Sequence, residues 1–395
     1  PEDMRNKSML TGDIEVSIES FEVINHSASL PLGVEDQDDA GEELRLKYRY
    51  LDLRRPRMID NIKLRHKSLQ SIRNFNSDRG LIEIETPVLI KSTPEGARDY
   101  VVPSRINKGF FYALPQSPQI YKQTLMIGGL DGYFQVARCF RDEDMRADRQ
   151  PEFSQIDIEM AVVQEEDIWD HVEDMTIKLV NDTKNILIKK PFTRIDYKIA
   201  IEKYGSDAPD MRFDMLLTDV TEKFRDSGFK AFDTIVDSGG SVIGLCGKGK
   251  GTLSRKQKAE LEDLGRAEGL AGLLTAPLSD NGLSGILGKI FDLTNQEELC
   301  EKFQAQDGDI LMLAAGQKEK ISDSLGRIRK ILGERWKLYD EEALEFCWVT
   351  NAPLFEKTSD GNNITAVHHP FTAPVAEDMN KLESDPLSVR SRAYD

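Results

Sequence analysis

A chain of 395 residues, 39% hydrophobic and 31% charged, has material for two or three soluble domains with buried cores. Its net charge of −17 argues against general adhesion to nucleic acid, and no apolar run approaches the roughly 20 residues a membrane span needs. The start PEDMRNKSML does not have the pattern of a signal peptide, and Cys139, Cys246, Cys300 and Cys347 lack CxxC spacing, so a reducing compartment is expected, with neither a zinc site nor a disulfide framework.

Asp13 to Val23, DIEVSIESFEV, has strand-like alternation but is too short to be a domain. Glu35 to Glu43, EDQDDAGEE, reads as a solvated acidic linker. From Arg45 to Arg79 eleven Lys or Arg face three Asp, 11 − 3 = +8, a local basic stretch that permits an RNA partner. LRLKYRYLDLRRPRM leads into a helix with Ile62, Leu69, Ile72 and Phe75 at helical spacing, ending near Gly80. LIEIETPVLI follows as a strand in which Ile82 and Ile84 alternate with acids until Pro87. Thr93 to Tyr100, TPEGARDY, is a loop. In YALPQSPQIYKQTLMIGG, Ser117 suits an N-cap and Pro118 the first helical position, so Gln119 and Lys122 share one face of the first turn.

Tyr133 to Val163 reads as two antiparallel strands joined by a charged loop. Period 2 puts Ile156, Ile158, Met160 and Val162 on a core face, shared by Phe134, Val136 and Phe140. Phe153, Gln155, Asp157 and Glu159 form a polar floor with Arg141 beside it. A guanidinium, carboxylates, a stackable ring and a basic loop carrying Arg146 and Arg149 suit a phosphorylated, planar ligand.

Glu165 to Asn185 reads as a helix and YGSDAPDMRF, with Arg212, as a polar loop. In SGGSVIGLCGKGKGT, Gly244 to Lys250 spells GxxxxGK, but Gly251 stands where a phosphate-binding loop needs Ser or Thr, so the match is read as a decoy. Ser254 can cap a helix over LSRKQKAELEDL, a helix follows from Lys318 to Lys337, and Phe346 to Leu354 returns as a buried strand. TAVHHPFTAP holds His368 and His369, two of only five histidines.

FRDE, a loop, then RQPEF and QIDIE closely resembles motif 2 of the class II aminoacyl-tRNA synthetases, in the wording of the bacterial-type aspartyl enzymes. The helix, strand and proline from Leu44 to Pro87 resemble motif 1, which implies a homodimer. The resemblance implies an α+β fold, an antiparallel sheet flanked by helices with an inserted α+β domain. It divides the chain into the end of an N-terminal OB-fold anticodon module (1–32), a linker (33–50), a catalytic core (51–215), an insertion domain (216–340) and the core continued (341–395). Beyond SRAYD the family carries an acid pair that helps hold Mg²⁺, a substrate-binding arginine and motif 3, for which GKGTLSR is no substitute.

The implied reaction is activation of L-aspartate by ATP, with Mg²⁺ expected, and transfer of the aspartyl group to the 3′-terminal adenosine of tRNA. In those roles Arg141 neutralises the α-phosphate and also reaches the substrate, Asp142, Glu143, Gln150 and Phe153 hold ATP, and Phe153 stacks on adenine. Glu95, Gln119, Lys122, Asp157 and His368 hold aspartate, Lys122 pairing with its β-carboxylate and Glu95 accepting from its α-ammonium. Arg146 and Arg149 meet the tRNA acceptor end. The geometric expectation is that residues 119, 122, 141, 153 and 157 converge on one cavity. The alternatives are a lysyl- or asparaginyl-type sibling, against which TPEGARD and QSPQ speak, or a non-catalytic binding paralogue. The cytoplasm is the expected location, with the mitochondrial matrix the other compartment compatible with this reading.

Overall fold

The structure, a computed structural model, describes residues 5–9, 11–35, 40–93, 95–145, 149–358, 361–368 and 371–393. The chain divides into two units, Pro1–Gln70 and Ser71–Asp395. In the first, the alternation of Ile14, Val16 and Ile18 produces no strand; these side chains and Phe21 stand exposed. A strand needs a neighbouring ladder for its backbone groups, and no described residue supplies one. The expected linker at 33–50 contains α1 (Glu42–Lys47) and the start of α2 (Arg49–Asp52). Asp52, fully buried, is surrounded by Arg45 at 2.8 Å, Arg49 and Arg55 at 3.6 Å. That many cations around one acid is what makes a buried carboxylate tolerable. Pro56, whose ring presets a helical φ, opens α3 (Pro56–Asp78). The unit boundary falls inside α3: Ile62 is exposed, while Ile72 and Phe75, in the second unit, are buried.

After the end of α3 the second unit continues with β1 (Ile82–Glu83), then β2 (Val101–Pro103) and β3 (Phe111–Ala113), α4 (Gln119–Ile127), and the hairpin β4 (Gly132–Phe140) and β5 (Glu152–Met160). The hairpin pairs over nine rungs, Gln135 opposite Asp157 and Cys139 opposite Phe153. β1 joins β4 in parallel, so the sheet β1-β4-β5 is mixed and not wholly antiparallel. β3 pairs with β2 and not with the hairpin; its continuation reaches the hairpin through Phe140 N–H donating to the Pro115 carbonyl at 2.9 Å.

Two further expectations about the hairpin change. β5 ends at Met160, and Val162, at φ 56° and 104% exposed, leaves the apolar face entirely. A β-branched residue in that left-handed region cannot continue a strand. The polar floor is also the better covered side: Tyr133, Gln135, Ala137, Cys139 and Asp157 are buried, whereas Ile156, Ile158 and Met160 are only half-buried.

Next come α5 (Glu165–Lys184), β6 (Thr193–Asp196) and α6 (Tyr197–Tyr204). The first turn of α5 carries Glu165, Glu166 and Asp167, and Gln164 and Asp167 close a reciprocal cap on its free N–H groups. Residues 216–340 supply β7 (Thr218–Asp219), α7 (Lys230–Asp237), β8 (Ser241–Gly247), α8 (Arg255–Ala267), β9 (Leu274–Ser279), β10 (Gly282–Leu283), α9 (Leu287–Ile290), α10 (Leu293–Lys302), β11 (Ile310–Gly316) and α11 (Lys318–Arg335). Their five strands run in the order β10-β9-β11-β8-β7, all neighbours antiparallel. Period 2 splits β8 and β11 between two cores. Ile243, Leu245, Ile310 and Met312 pack with Leu261, Leu325 and Leu332, while Val242, Cys246, Leu311 and Leu313 pack with Phe232, Val236 and Leu299. Burial on both faces explains why SVIGLCG reads as a continuous apolar run.

Gly244 therefore lies mid-strand opposite Leu313, where a Cβ would meet the Leu313 Cδ2 at 2.3 Å; the GxxxxGK run contains no phosphate loop. Ser254 caps α8 as its type suggests. The last elements are β12 (Cys347–Thr350), parallel to β6 and half-buried, and the hairpin β13 (Phe355–Lys357) with β14 (Ile364–Ala366). The fold is α+β, and among the described residues no helix is long and apolar enough to cross a membrane.

Candidate active site

The floor is built from the hairpin. Side chains of Tyr133, Gln135, Ala137 and Cys139 alternate onto the same face as Phe153, Gln155, Asp157 and Glu159. Lys122 descends onto it from the first turn of α4. Its Nζ lies 2.9 Å from Asp157 Oδ1 and 3.4 Å from Glu159 Oε2, with Lys122 9% and Asp157 4% exposed. Burial pulls the Lys122 ammonium down, yet the attraction and hydrogen bond of Asp157, with Glu159 behind it, outweigh that and hold its pKa above the ordinary lysine value. Asp157 Oδ2 is buried and has no hydrogen-bond partner among the described residues. An orphaned carboxylate oxygen costs about 1–3 kcal/mol or more, which marks it as a place where a ligand donor would be rewarded.

Beside this floor Arg141, Glu143, Asp144, Arg149, Gln150 and Phe153 line a cavity of about 220 Å³. The Arg141 guanidinium lies over the Phe153 ring, 5.2 Å from its centroid. Arg141 N–H donates to the Pro151 carbonyl at 2.9 Å, tying off the base of the loop. The cavity and the floor share Phe153, and Cys139, opposite it, is fully buried. Burial pushes its thiol up to about 11, Asp157 adds to the rise, Arg141 opposes it, and Glu95 and Lys122 act in turn. Four charged site residues are thus within electrostatic reach of one sulfur. Tyr133 is likewise pushed up by burial and then by Asp157.

The loop that carries Glu95 is held by its neighbours. Glu95 accepts from Ser117 Oγ at 2.6 Å and from Thr93 Oγ1 at 2.9 Å. Ser117 thus spends its hydroxyl on Glu95 and meets the helix only through Gln119 N–H at 3.3 Å; Pro118 is the cap residue and α4 starts at Gln119, one position later than the sequence suggests. Asp142 does not line the cavity: its N–H donates to the Arg98 carbonyl at 3.1 Å and its carboxylate stands 3.9 Å from the Arg98 side chain.

Of the residues singled out from the sequence, the structure gathers Arg141, Glu143, Arg149, Gln150 and Phe153 at the cavity and Lys122 with Asp157 on the floor. Glu95 is held by Ser117 at the entry to α4, and half-buried Gln119 opens α4 one turn before Lys122. His368 is exposed beyond β14, without a bond to any of these among the described residues; Arg146, His369 and Pro370 lie outside those residues. Arg212 is engaged elsewhere, 2.8 Å from Asp210 and over the Tyr339 ring. The sequence reading placed Glu159 on the floor without a role and missed Gln116, Tyr133 and Cys139, of which the last two carry a period-2 signal on the first strand of the hairpin. Among the described residues no three metal-ligating side chains gather.

With this geometry in view, residues 41–395 match the family model described as tRNA synthetases class II (D, K and N), and the chain belongs to that family. It is 48% identical over 391 residues to the aspartate–tRNA ligase of Halalkalibacterium halodurans and 47% identical over 391 residues to the aspartate–tRNA(Asp/Asn) ligase of Bacillus cereus. In each case 99% of this chain is covered, and the chain spans 66% of the relative's length. A solved asparaginyl-tRNA synthetase from Pyrococcus horikoshii, complexed with asparaginyl-adenylate, overlaps 84% of this chain and 80% of its own at TM-score 0.43 and 17% identity.

Proposed function

We propose that the protein carrying this chain is an aspartate–tRNA ligase, which joins L-aspartate to the α-phosphate of ATP and passes the aspartyl group to the 3′-terminal adenosine of tRNA. The observation that carries this is the buried Lys122–Asp157–Glu159 group with its orphaned Asp157 Oδ2, next to a cavity holding a guanidinium and an aromatic ring. Lys122 has spent two of its three N–H donors on Asp157 and Glu159, so the third is free to meet a β-carboxylate. Asp157 Oδ2 accepts from the substrate ammonium, together with Glu95. Asparagine is disfavoured because its amide offers the remaining Lys122 donor only a neutral oxygen, a weaker hydrogen bond than a carboxylate makes.

In the chemical step an α-carboxylate oxygen attacks the α-phosphorus, the bond to the β-phosphate breaks, and pyrophosphate leaves. Two anions must approach in line, so positioning and charge neutralisation supply the catalysis. Arg141 supplies the positive charge, Phe153 the stacking face for adenine and Glu143 the acceptor for its amino group. Arg149, at the mouth of the same cavity, and Arg146 meet the acceptor end of tRNA. A homodimer through the motif 1 stretch is supported by apolar side chains left exposed on α3 (Ile59, Ile62, Leu64) and, in the second unit, at Ile82, Val88 and Leu89. Residues 1–32 are read as the end of an anticodon module. Four free cysteines fit the cytoplasm.

The test is a melting curve with ATP present. L-Aspartate at a hundredfold excess over its Kd adds about 2.7 kcal/mol and raises Tm by several degrees, while asparagine and lysine leave it in place. A rise with asparagine or lysine alone assigns the site to a sibling ligase.

A further inference from the structure

Gln116 is 1% exposed and makes three hydrogen bonds to a loop about twenty residues earlier in the chain. Its Oε1 accepts from Ala97 N–H at 3.1 Å, and its Nε2 donates to the Ala97 carbonyl at 2.8 Å and to Asp99 Oδ1 at 2.6 Å. The amide therefore plays the part of a strand partner for one residue of the loop and adds a side-chain contact. Asp99 in turn accepts from Ser92 Oγ at the loop's other end. The next residue, Ser117, holds Glu95. On the far side the Asp142 N–H bonds the Arg98 carbonyl, so the loop is gripped between the entry to α4 and the start of the loop that lines the cavity.

We propose that Gln116 is a positioning residue for the amino-acid substrate: by clasping Ala97 and Asp99 it holds the loop of residues 95–99 in the shape that presents the Glu95 carboxylate to the floor. This rests on the aspartate reading above and deepens it, because Gln116 touches no substrate. Only an amide meets the demand, since the site needs an acceptor for Ala97 N–H and donors for a carbonyl and a carboxylate on one planar group. A glutamate would keep the first bond and set a charge against Asp99; a methionine of similar volume would lose all three.

The test uses the full-length protein, its Gln116→Met variant and Asp99→Ala, which attacks the same clasp from the exposed loop and cannot empty the core. Amide exchange of the peptide covering residues 95–99 is read first without ligand, then L-aspartate and ATP are titrated separately. Loss of the clasp is expected to speed loop exchange about tenfold or more and to raise the aspartate concentration for half-saturation about tenfold, with ATP half-saturation within about twofold. Gln116→Glu, which sets a buried charge against Asp99, should be impaired at least as much as Gln116→Met. Unchanged loop exchange in both variants overturns the inference, and so does faster exchange with an unmoved aspartate titration. A wild-type protein that does not respond to aspartate at all instead removes the substrate reading on which the inference stands.

Discussion

Arg141→Ala in the full-length protein is expected to lose aspartate-dependent ATP–pyrophosphate exchange by a factor of about 10²–10³ or more, the loss that follows removal of one well-placed donor, roughly 3–4 kcal/mol. The effect is electrostatic. Bringing a carboxylate against a polyphosphate is opposed by their like charge, and Arg141 is the guanidinium at the junction of cavity and floor, opposite neither Asp157 nor Glu159 in an ion pair. Its contact within the site is the Phe153 ring, a pairing of about 0.5–1 kcal/mol at an exposed site. The melting temperature should therefore move little while kcat collapses, a split that separates a catalytic role from a structural one. Retained exchange would remove Arg141 from the mechanism.

Lys122→Met should do the opposite, unfolding the protein first. Removing the cation leaves Asp157, 4% exposed, without a partner, and breaking a buried pair from one side costs about 3–5 kcal/mol. Against a total stability of about 5–15 kcal/mol that is a large fraction. The second change Asp157→Leu should recover much of it, since an apolar pair of similar volume replaces the ions without an uncompensated charge. The pH dependence has a definite sign. The folded-state pKa of Lys122 is raised above 10.5, so its contribution is fully present below that value and is lost as pH rises through the folded pKa. The stability gap between wild type and Lys122→Met, read by urea unfolding, should thus narrow above about pH 10. A gap that stays constant through the alkaline range would contradict the pairing.

The hairpin and the lysine were legible because both follow from local geometry. Alternation with period 2 assigns Asp157 and Phe153 to one face, and a three-residue step on a helix aligns Gln119 with Lys122. The same rule failed at 13–23, where alternation promises a strand but the ladder partner must come from elsewhere in the chain. It failed again at Val162, because a turn with positive φ cuts the strand short. Burial of the polar face was not legible: acids and amides read as solvent-facing until Lys122 is seen to neutralise Asp157 and Tyr133 to satisfy Gln135 with a 2.8 Å hydrogen bond. Gln116 carries no periodic signal at all, since its partners are the backbone of Ala97 and the side chain of Asp99. Asp142, counted with the nucleotide residues from the spelling FRDE, turns toward Arg98 for a similarly non-local reason.

The most direct measurement is a crystal structure of the full-length protein with a non-hydrolysable aspartyl-adenylate analogue. The account predicts the adenine on Phe153, the phosphate mimic against Arg141, the β-carboxylate at Lys122 Nζ and the ammonium within hydrogen-bond distance of Asp157 Oδ2. An analogue seated away from the hairpin, or one whose carboxylate leaves Lys122 paired only with Asp157 and Glu159, would contradict it.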